Sequence, residues 1–231
     1  MKKQKGKLIV IDGSDGSGKA TQVDLLKKRL VKEGYKIKDV DFPEYYKNFF
    51  GKFIGHCLSE QYYNFLKVHP KIASVLYAAD RFESSKEIEE WIAKGYVVIA
   101  NRYVSANQIH QGGKIKSAKK RAEFLEWLDE MEYGVFKIPR PSVVFYLNLP
   151  ISISLKLMKE RNKKSKRTYL GNKKDVAESD LEYLNNSHKS ALWVAKREPH
   201  YVQIDCSSKG EILPRDVIHE EIFSRVKNIL K

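Results

Sequence analysis

Residues 7–26 join an apolar run, a glycine-rich loop and the start of a helical pattern, and few folds accommodate these three in this order. The loop GSDGSGK (13–19) satisfies the pattern G-x-x-x-x-G-K and follows the run KLIVID. Glycines let the backbone curl so that successive N–H groups point inward, and a helix N-terminus and Lys19 add positive charge there. The pattern predicts a loop that binds a nucleoside triphosphate through Gly13, Ser14, Asp15, Gly16, Ser17, Gly18, Lys19, Ala20 and Thr21.

The residue after the loop lysine departs from the usual pattern. A serine or threonine there would ligate Mg²⁺, but this chain has Ala20. Thr21 follows, yet one residue along a helix is a rotation of about 100°, so its hydroxyl does not occupy the same place. We therefore expect Mg²⁺ to be held mainly by phosphate oxygens, water and another side chain, which suits an ion that keeps much of its hydration shell.

Apolar, β-branched runs indicate a parallel sheet. The runs at 7–12, 96–101, 142–149 and 201–205 are nearly continuous in apolar character, and 35–42 is a weaker fifth. Such runs are typical of strands covered on both faces. Apolar residues recur at helical spacing between them, in the sets Val23, Leu26, Leu30; Phe124, Leu128, Met131; and, after Pro214, Ile218, Ile222, Val226, Ile229. The alternation predicts an α/β fold with a doubly wound parallel sheet, in one domain over 1–231 because no repeat or linker-like boundary interrupts it.

The charge balance is strongly basic, because 43 Lys and Arg residues against 29 Asp and Glu residues give a net charge of +14. This excess favours polyanionic partners, with nucleic acid and nucleotide phosphates first among them. The basic residues are not gathered in one arm, which favours a local phosphate site over a nucleic-acid-binding face.

Cys57 and Cys206 are far apart, so neither a disulfide framework nor a zinc site is expected. No run approaches the roughly 20 apolar residues of a membrane span, and we expect a soluble cytoplasmic protein.

Five motifs in order carry a resemblance to a known family. They are DGSDGSGKATQ (12–22), DFPEY (41–45), YAADR (77–81), NRYVSANQIHQGG (101–113) and IDC…IHEEI (204–222). Together they resemble thymidylate kinase from the first predicted strand to the last predicted helix. The resemblance implies a nucleoside monophosphate kinase fold with a five-stranded parallel sheet and a mobile lid, usually as a homodimer. It implies transfer of the γ-phosphoryl group of ATP to dTMP, giving dTDP and ADP for nucleotide biosynthesis, with Mg²⁺.

The resemblance also implies roles for individual residues. Lys19, Asp15 and Arg102 would be catalytic, and Asp15 would also lie near the sugar 3′-hydroxyl and the metal. Arg81 and Arg102 would bind the acceptor monophosphate, since a guanidinium fork matches phosphate geometry. Tyr77 would stack on thymine and Asn107 would read the base edge. The substrate-binding set that the resemblance implies is Asp15, Phe42, Tyr45, Tyr77, Arg81, Arg102, Asn107, His110 and Gln111.

Three positions depart from the family pattern. Asn101 stands where many members have aspartate, which removes a negative charge close to where metal and phosphates meet. Either Asp15 carries the metal-side role alone, or turnover is reduced. His110 stands where an aromatic residue commonly crowds the sugar 2′ position, and Gly16 stands where some members place an arginine in the loop.

The basic segment NKKSKRTYLGNKKD (162–175) predicts a lid over the phosphates. Because Gly16 supplies no cation, we expect the lid to neutralise the transferring phosphoryl group. The candidates are Arg161 and Arg167, with support from Lys163, Lys164 and Lys166. A solvated basic loop is the alternative reading of the segment.

Three other functions fit parts of the sequence. One is a kinase for another nucleoside monophosphate or for a deoxynucleoside. Another is a nucleic-acid-binding ATPase or a nucleotide-binding regulatory module, which the net charge would suit but which leaves 41–45 and 101–113 without a purpose. The third is a kinase-like protein of reduced activity, suggested by Ala20 and Asn101 together.

Overall fold

The sheet of the computed structural model has five parallel strands. The structure describes residues 6–59, 65–164 and 180–231, with the backbone alone at 161–164. The strand order is β2-β3-β1-β4-β5. The strands are β1 (Lys7–Gly13), β2 (Ile37–Asp41), β3 (Val97–Asn101), β4 (Val143–Asn148) and β5 (Tyr201–Asp205). All four neighbouring pairs are parallel, which confirms the fold class and the five predicted strands.

Eight α-helical segments connect or flank these strands in the described part of the chain. They are α1 (Lys19–Lys32), α2 (Phe49–Leu58), α3 (Pro70–Ala93), α4 (Val104–Ala106), α5 (Ala118–Asp129), α6 (Ile151–Lys164), α7 (Leu181–Arg197) and α8 (Arg215–Leu230). Two π-helical segments continue α4 and α5, at Asn107–Gln111 and Glu130–Val135, and a 3-10 turn spans Phe65–Lys67. A small antiparallel hairpin, Ser207–Ser208 with Glu211–Ile212, lies between β5 and α8. None of the described helices combines the length and apolar character needed to cross a bilayer.

Helices cover both faces of the sheet, which explains why the strands read as continuous apolar runs. On one face, Ile9 and Ile11 of β1 pack with residues of α1 and α8 such as Leu26 and Ile222. On the other, alternate β1 residues pack with α3, α5 and α7, in a cluster that includes Leu8, Val10, Ile88, Leu128 and Val194. Successive side chains of a strand point to opposite faces, so a strand with helices on both sides has no polar face.

The longest described helix, α3, contains none of the three sets of apolar residues that recur at helical spacing in the sequence. Its buried face carries Asp80, Arg81, Ser84 and Ser85 as well as apolar residues. A polar buried face weakens the apolar periodicity by which amphipathic helices are recognised. This same face of α3 closes one side of the cleft described below.

Candidate active site

The main cleft lies where β1, β2 and β3 end, at the carboxyl edge of the sheet, which is where α/β proteins of this kind bind ligands. Its volume is about 830 Å³, within the range of small-molecule sites. The structure brings together most of the sequence-predicted site residues along its wall: Asp15, Gly16, Ser17, Gly18, Lys19, Ala20, Thr21, Phe42, Tyr45, Tyr77, Arg81, Arg102, Asn107, His110 and Gln111. Gly13 and Ser14 do not line the cleft, but their carbonyl groups hold Lys19.

The glycine loop joins β1 to α1 and turns its lysine inward. Gly18 caps α1 with φ +90°, a left-handed conformation that favours glycine, and no side chain caps the helix N-terminus. Lys19 Nζ donates hydrogen bonds of 2.9 Å to the carbonyl oxygens of Gly13 and Ser14. Burial, with the nearby Arg102 charge, lowers the pKa of Lys19 to about 8. The loop thus presents an uncapped helix N-terminus and a desolvated cation to the cleft.

The structure gives a physical reason for glycine at position 16. Its φ is +80°, and a Cβ atom there would lie 2.7 Å from the Ser154 carbonyl oxygen and 2.8 Å from Met158 Cγ. The first turn of α6 therefore packs directly on the loop, and Ser154 Oγ donates a hydrogen bond to the Asp15 carbonyl oxygen. An arginine at this position would require α6 to move.

Arg102 follows β3 directly and faces the loop. It has φ +64°, and its backbone N–H donates to the Ile11 carbonyl oxygen at 3.0 Å, which ties the turn to β1. Its guanidinium donates to the Asp15 carboxylate. Burial opposes the charge, but Asp15 and Asp12 outweigh it and raise the pKa of Arg102 well above its ordinary value. The site therefore keeps a permanent cation beside the loop.

Asp12 has a structural role at the start of the loop. The carboxylate is fully buried and accepts hydrogen bonds from the Gly13 backbone N–H at 2.8 Å and from the Ser105 hydroxyl. These bonds tie the end of β1 to α4. Because both of its carboxylate oxygens are engaged, Asp12 fixes the loop rather than binding a ligand.

Arg81 is held in a buried ion pair. Its Nε and Nη2 donate to the two Glu132 carboxylate oxygens at 2.7 and 2.6 Å, and the two side chains are 2% and 0% exposed. Asn107 Nδ2 also donates to Glu132, at 2.9 Å. The predicted phosphate contact of Arg81 stays a prediction, but Nη1 is the nitrogen that Glu132 does not engage. Glu132 thus fixes both Arg81 and Asn107 at the base of the cleft.

The segment after β2 is tied to α3 by a buried polar network. Asp80 accepts hydrogen bonds from the Glu44 backbone N–H at 3.1 Å and from Asn48 Nδ2 at 3.0 Å. Ser84 donates to the Glu44 carboxylate. Burial raises the pKa of Asp80 to about 6 despite these bonds. The network places Phe42 and Tyr45 at the wall of the cleft.

His110 lies on the π-helical segment and stays neutral near pH 7. Its Nδ1 is 3.3 Å from Ser187 Oγ, and its ring stacks on Tyr183 of α7 with centroids 5.9 Å apart. Burial, with the Arg102 charge, lowers the pKa of His110 to about 4. Nε2 is buried and has no hydrogen-bond partner among the described residues.

Several buried polar atoms of cleft residues lack a hydrogen-bond partner within the described chain. They are Ser17 Oγ, Gln22 Oε1, Asn101 Oδ1, Arg102 Nε, His110 Nε2 and Gln111 Oε1. Buried polar groups in proteins are nearly always paired, and leaving one unpaired costs roughly 1–3 kcal/mol. Their concentration around one cleft indicates that a polar ligand completes their hydrogen bonding.

The donor set for a metal is sparse in the described residues. No group of three or more His, Cys, Asp or Glu side chains there could hold a metal ion by itself. The cleft does contain the carboxylates of Asp15 and Asp41 near the loop. One or two carboxylates with phosphate oxygens and water is the arrangement that Mg²⁺ uses with nucleotides, so these residues fit a nucleotide-borne Mg²⁺.

The predicted lid falls largely outside the described residues. Arg161, Lys163 and Lys164 belong to the end of α6, where only the backbone is described, while Lys166 and Arg167 lie outside the described ranges. Their contribution to the site stays a prediction.

Two site residues were missed by the sequence reasoning. Glu132 lies 51 residues from its partner Arg81, in a segment that carries no motif. Asp41 lay inside the DFPEY motif but was given no role, since its closeness to the glycine loop depends on the strand order. The signal that could have indicated an acidic partner such as Glu132 is that Arg81, if buried, needs a counter-charge.

The comparison with known proteins bears directly on this cleft. A sequence model described as thymidylate kinase matches residues 11–217, which spans the loop, the cleft and α6 and α7. The chain belongs to the thymidylate kinase family. Full-length relatives agree: the thymidylate kinase of Thermosipho melanesiensis is 27% identical over 223 residues, 96% of each chain. That of Schizosaccharomyces pombe is 29% identical over 228 residues, which are 99% of this chain and 95% of the relative.

Comparison with a solved structure shows that this chain also shares its fold with a thymidylate kinase. The thymidylate kinase of Candida albicans superposes with a TM-score of 0.70 at 21% identity, over 97% of this chain and 92% of that one. The fold of this chain is therefore that of a known thymidylate kinase structure.

Proposed function

We propose that this protein transfers the γ-phosphoryl group of ATP to dTMP, giving dTDP and ADP. One observation carries the proposal: the glycine loop and the group Tyr77, Arg81 and Asn107 open onto a single continuous cleft. A donor bound at the loop and an acceptor bound over α3 would then meet between them. Family membership supports the same pair of substrates.

The acceptor end suits a pyrimidine base. Tyr77 and Arg81 are four residues apart on α3, so they share a face. The Tyr77 ring packs on Phe65 with centroids 5.8 Å apart, which supports it as a stacking platform. Asn107 Nδ2 is engaged by Glu132 and the Ser74 carbonyl oxygen, so its own carbonyl oxygen would accept from a base N–H.

Phosphoryl transfer needs positioning and charge stabilisation more than covalent chemistry. The loop amides and Lys19 would hold the β- and γ-phosphates, and Arg102, placed between loop and acceptor, would meet the acceptor phosphate. Asp15 pairs with Arg102 and lies 3.8 Å from Lys19, so it orients both cations. Bound Mg²⁺ would neutralise charge on the phosphates, with Asp15 as its protein-side carboxylate.

A coupled ADP-release assay with dTMP, dUMP, UMP and thymidine tests the function. We expect turnover with dTMP to exceed that with the other three, and turnover with thymidine to be negligible because it offers no phosphate to Arg102. Preference for another monophosphate would support the alternative kinase. No turnover with any acceptor, but intact ATP binding, would support a nucleotide-binding protein of reduced activity, as Ala20 and Asn101 suggested.

The homodimeric state and the cytoplasmic location that the sequence implied stay predictions, as do a single domain and the absence of a nucleic-acid partner. A nucleic-acid-binding ATPase would bind DNA or RNA with a steep salt dependence, which a filter-binding titration would detect.

Substitution of the lid arginines should slow turnover. We expect Arg161→Ala or Arg167→Ala to lower kcat about tenfold or more, because arginines that reach the transferring phosphoryl group stabilise its charge strongly. Steady-state kinetics with dTMP measures the loss. If neither variant loses tenfold, the lid does not supply the cation that Gly16 leaves out. Arg225→Ala, on the exposed face of α8, is the matched control.

A further inference from the structure

Asp41 is the last residue of β2, and it stands beside the end of β3. In the parallel register its partner is Asn101, the last residue of β3, which in turn pairs with Ile11 of β1. The ends of β2 and β3 therefore lie side by side, next to Ile11 of β1, which continues two residues further to Gly13 at the glycine loop. Asp41 and Asn101 both line the cleft.

The other two carboxylates near the loop are already engaged. Asp12 is bonded to Gly13 and Ser105, and Asp15 is paired with Arg102. Asp41, by contrast, forms no ion pair with any residue that the structure describes. Its negative charge raises the pKa of both Lys19 and Arg102. Asp41 is therefore close enough to interact electrostatically with the two cations proposed to bind the phosphates.

Asn101 adds a second oxygen at the same place. Its side chain interacts with the Asp41 carboxylate, and its Oδ1 is buried without a hydrogen-bond partner within the described chain. An acceptor oxygen beside a carboxylate that has no ion-pair partner among the described residues is a suitable environment for water bound to Mg²⁺, since this ion keeps several waters and takes oxygen ligands.

We propose that Asp41 supplies the second metal-side carboxylate of this cleft and, with Asn101 Oδ1, holds the water shell of the nucleotide-bound Mg²⁺. This inference rests on the proposed function, because it concerns the metal that accompanies the donor. It also accounts for Asn101. Neighbouring strands are about 4.8 Å apart, and two carboxylates side by side at that spacing would repel each other. The Asp41 carboxylate and the Asn101 amide together provide oxygen atoms for the water shell while carrying only one negative charge.

Calorimetric titration with ADP, once in excess Mg²⁺ and once in EDTA, measures how much the metal strengthens binding. We expect Asp41→Asn to reduce this metal-dependent gain about tenfold, as loss of an outer-sphere ligand does. Affinity in EDTA should stay the same or rise, since a negative charge near the phosphates has been removed. Asp41→Ser should behave likewise, and thermal melting of both variants checks the fold.

Two further variants locate the effect. Asp39 is two residues before Asp41 on β2, is exposed, and pairs with Lys27 at 2.6 Å. The variant Asp39→Asn should therefore leave the Mg²⁺-dependent gain in ADP affinity unchanged. The double variant Asp41→Asn/Asn101→Asp moves the carboxylate to the neighbouring strand end and should restore most of the gain.

Different results contradict different statements. Folded Asp41→Asn with the full gain, or an equal loss in Asp39→Asn, overturns the inference while leaving the proposed function intact. Wild-type protein that binds ADP equally well with and without Mg²⁺ also overturns it. Wild-type protein that binds no ADP at all contradicts the proposed function itself.

Discussion

Substitution of Glu132 by glutamine should lower the free energy of unfolding by roughly 3–5 kcal/mol, the cost of breaking a buried ion pair from one side. Glu132 is 0% exposed and accepts both hydrogen bonds of the Arg81 fork, so an amide would leave the guanidinium charge buried without compensation. In the wild type Glu132 raises the pKa of Arg81 against the effect of burial. Arginine keeps its proton in proteins, so the variant would retain the buried charge without its partner. Urea denaturation followed by circular dichroism measures the loss.

Two other variants separate stability from binding. Glu130→Gln, in the same π-helical segment but exposed, should leave stability unchanged. The double variant Arg81→Met/Glu132→Leu removes both charges and should recover much of the lost stability, since apolar replacement of a buried pair is often neutral. We nevertheless expect it to bind dTMP poorly, because Arg81 and the anchor of Asn107 are gone. A Glu132→Gln protein that loses less than about 1 kcal/mol would show that Arg81 finds another partner.

The fold was predictable because its signals are local. The strands are covered on both faces, so β1 and β4 read as unbroken apolar runs, and the loop between β1 and α1 has a glycine pattern with one structural meaning. Helix α3 has no clear apolar periodicity in the sequence because its buried face includes Asp80, Arg81 and Ser84, which serve the cleft rather than the core. Buried polar residues that serve the site make the sequence of this helix resemble that of a polar segment.

The candidate site was predictable only in part, since its pairings are not local. The residues of the motifs do meet in one cleft, but the motifs do not reveal that Arg81 is bound by Glu132 or that Asp41 stands beside Asn101. Both facts depend on which elements become neighbours: the π-helical segment after α5 approaches α3, and β2 pairs with β3 rather than β1. Position 16 likewise has no arginine because α6 packs directly on the loop there and leaves no room for a side chain.

Substitution of Lys19 by methionine should lower kcat with dTMP about 10²- to 10³-fold, the usual cost of removing one preorganised donor from a charged transition state. Methionine fills a similar volume without the ammonium, so the loss reports on charge and hydrogen bonding rather than on packing. Lys28→Met lies on the exposed face of the same helix, where Lys28 pairs only with Asp24 among the described residues, and should retain full activity. If the kcat of Lys19→Met were within tenfold of the wild-type value, the loop amides alone would be sufficient to stabilise the transition state.

The same lysine should make ADP binding depend on pH. Its pKa is lowered to about 8 in the ligand-free protein, first by burial and then by Arg102, so the ammonium is lost as the pH rises through 8. Phosphates bind the charged form, and binding above pH 8 must therefore take up a proton, which weakens ADP affinity as the pH increases. Arg102 keeps its charge over this range and His110 is already neutral. Calorimetric titrations between pH 7 and pH 9 should show this decline in the wild type and a flat profile in Lys19→Met, whereas an equal decline in both would assign the titration to another group.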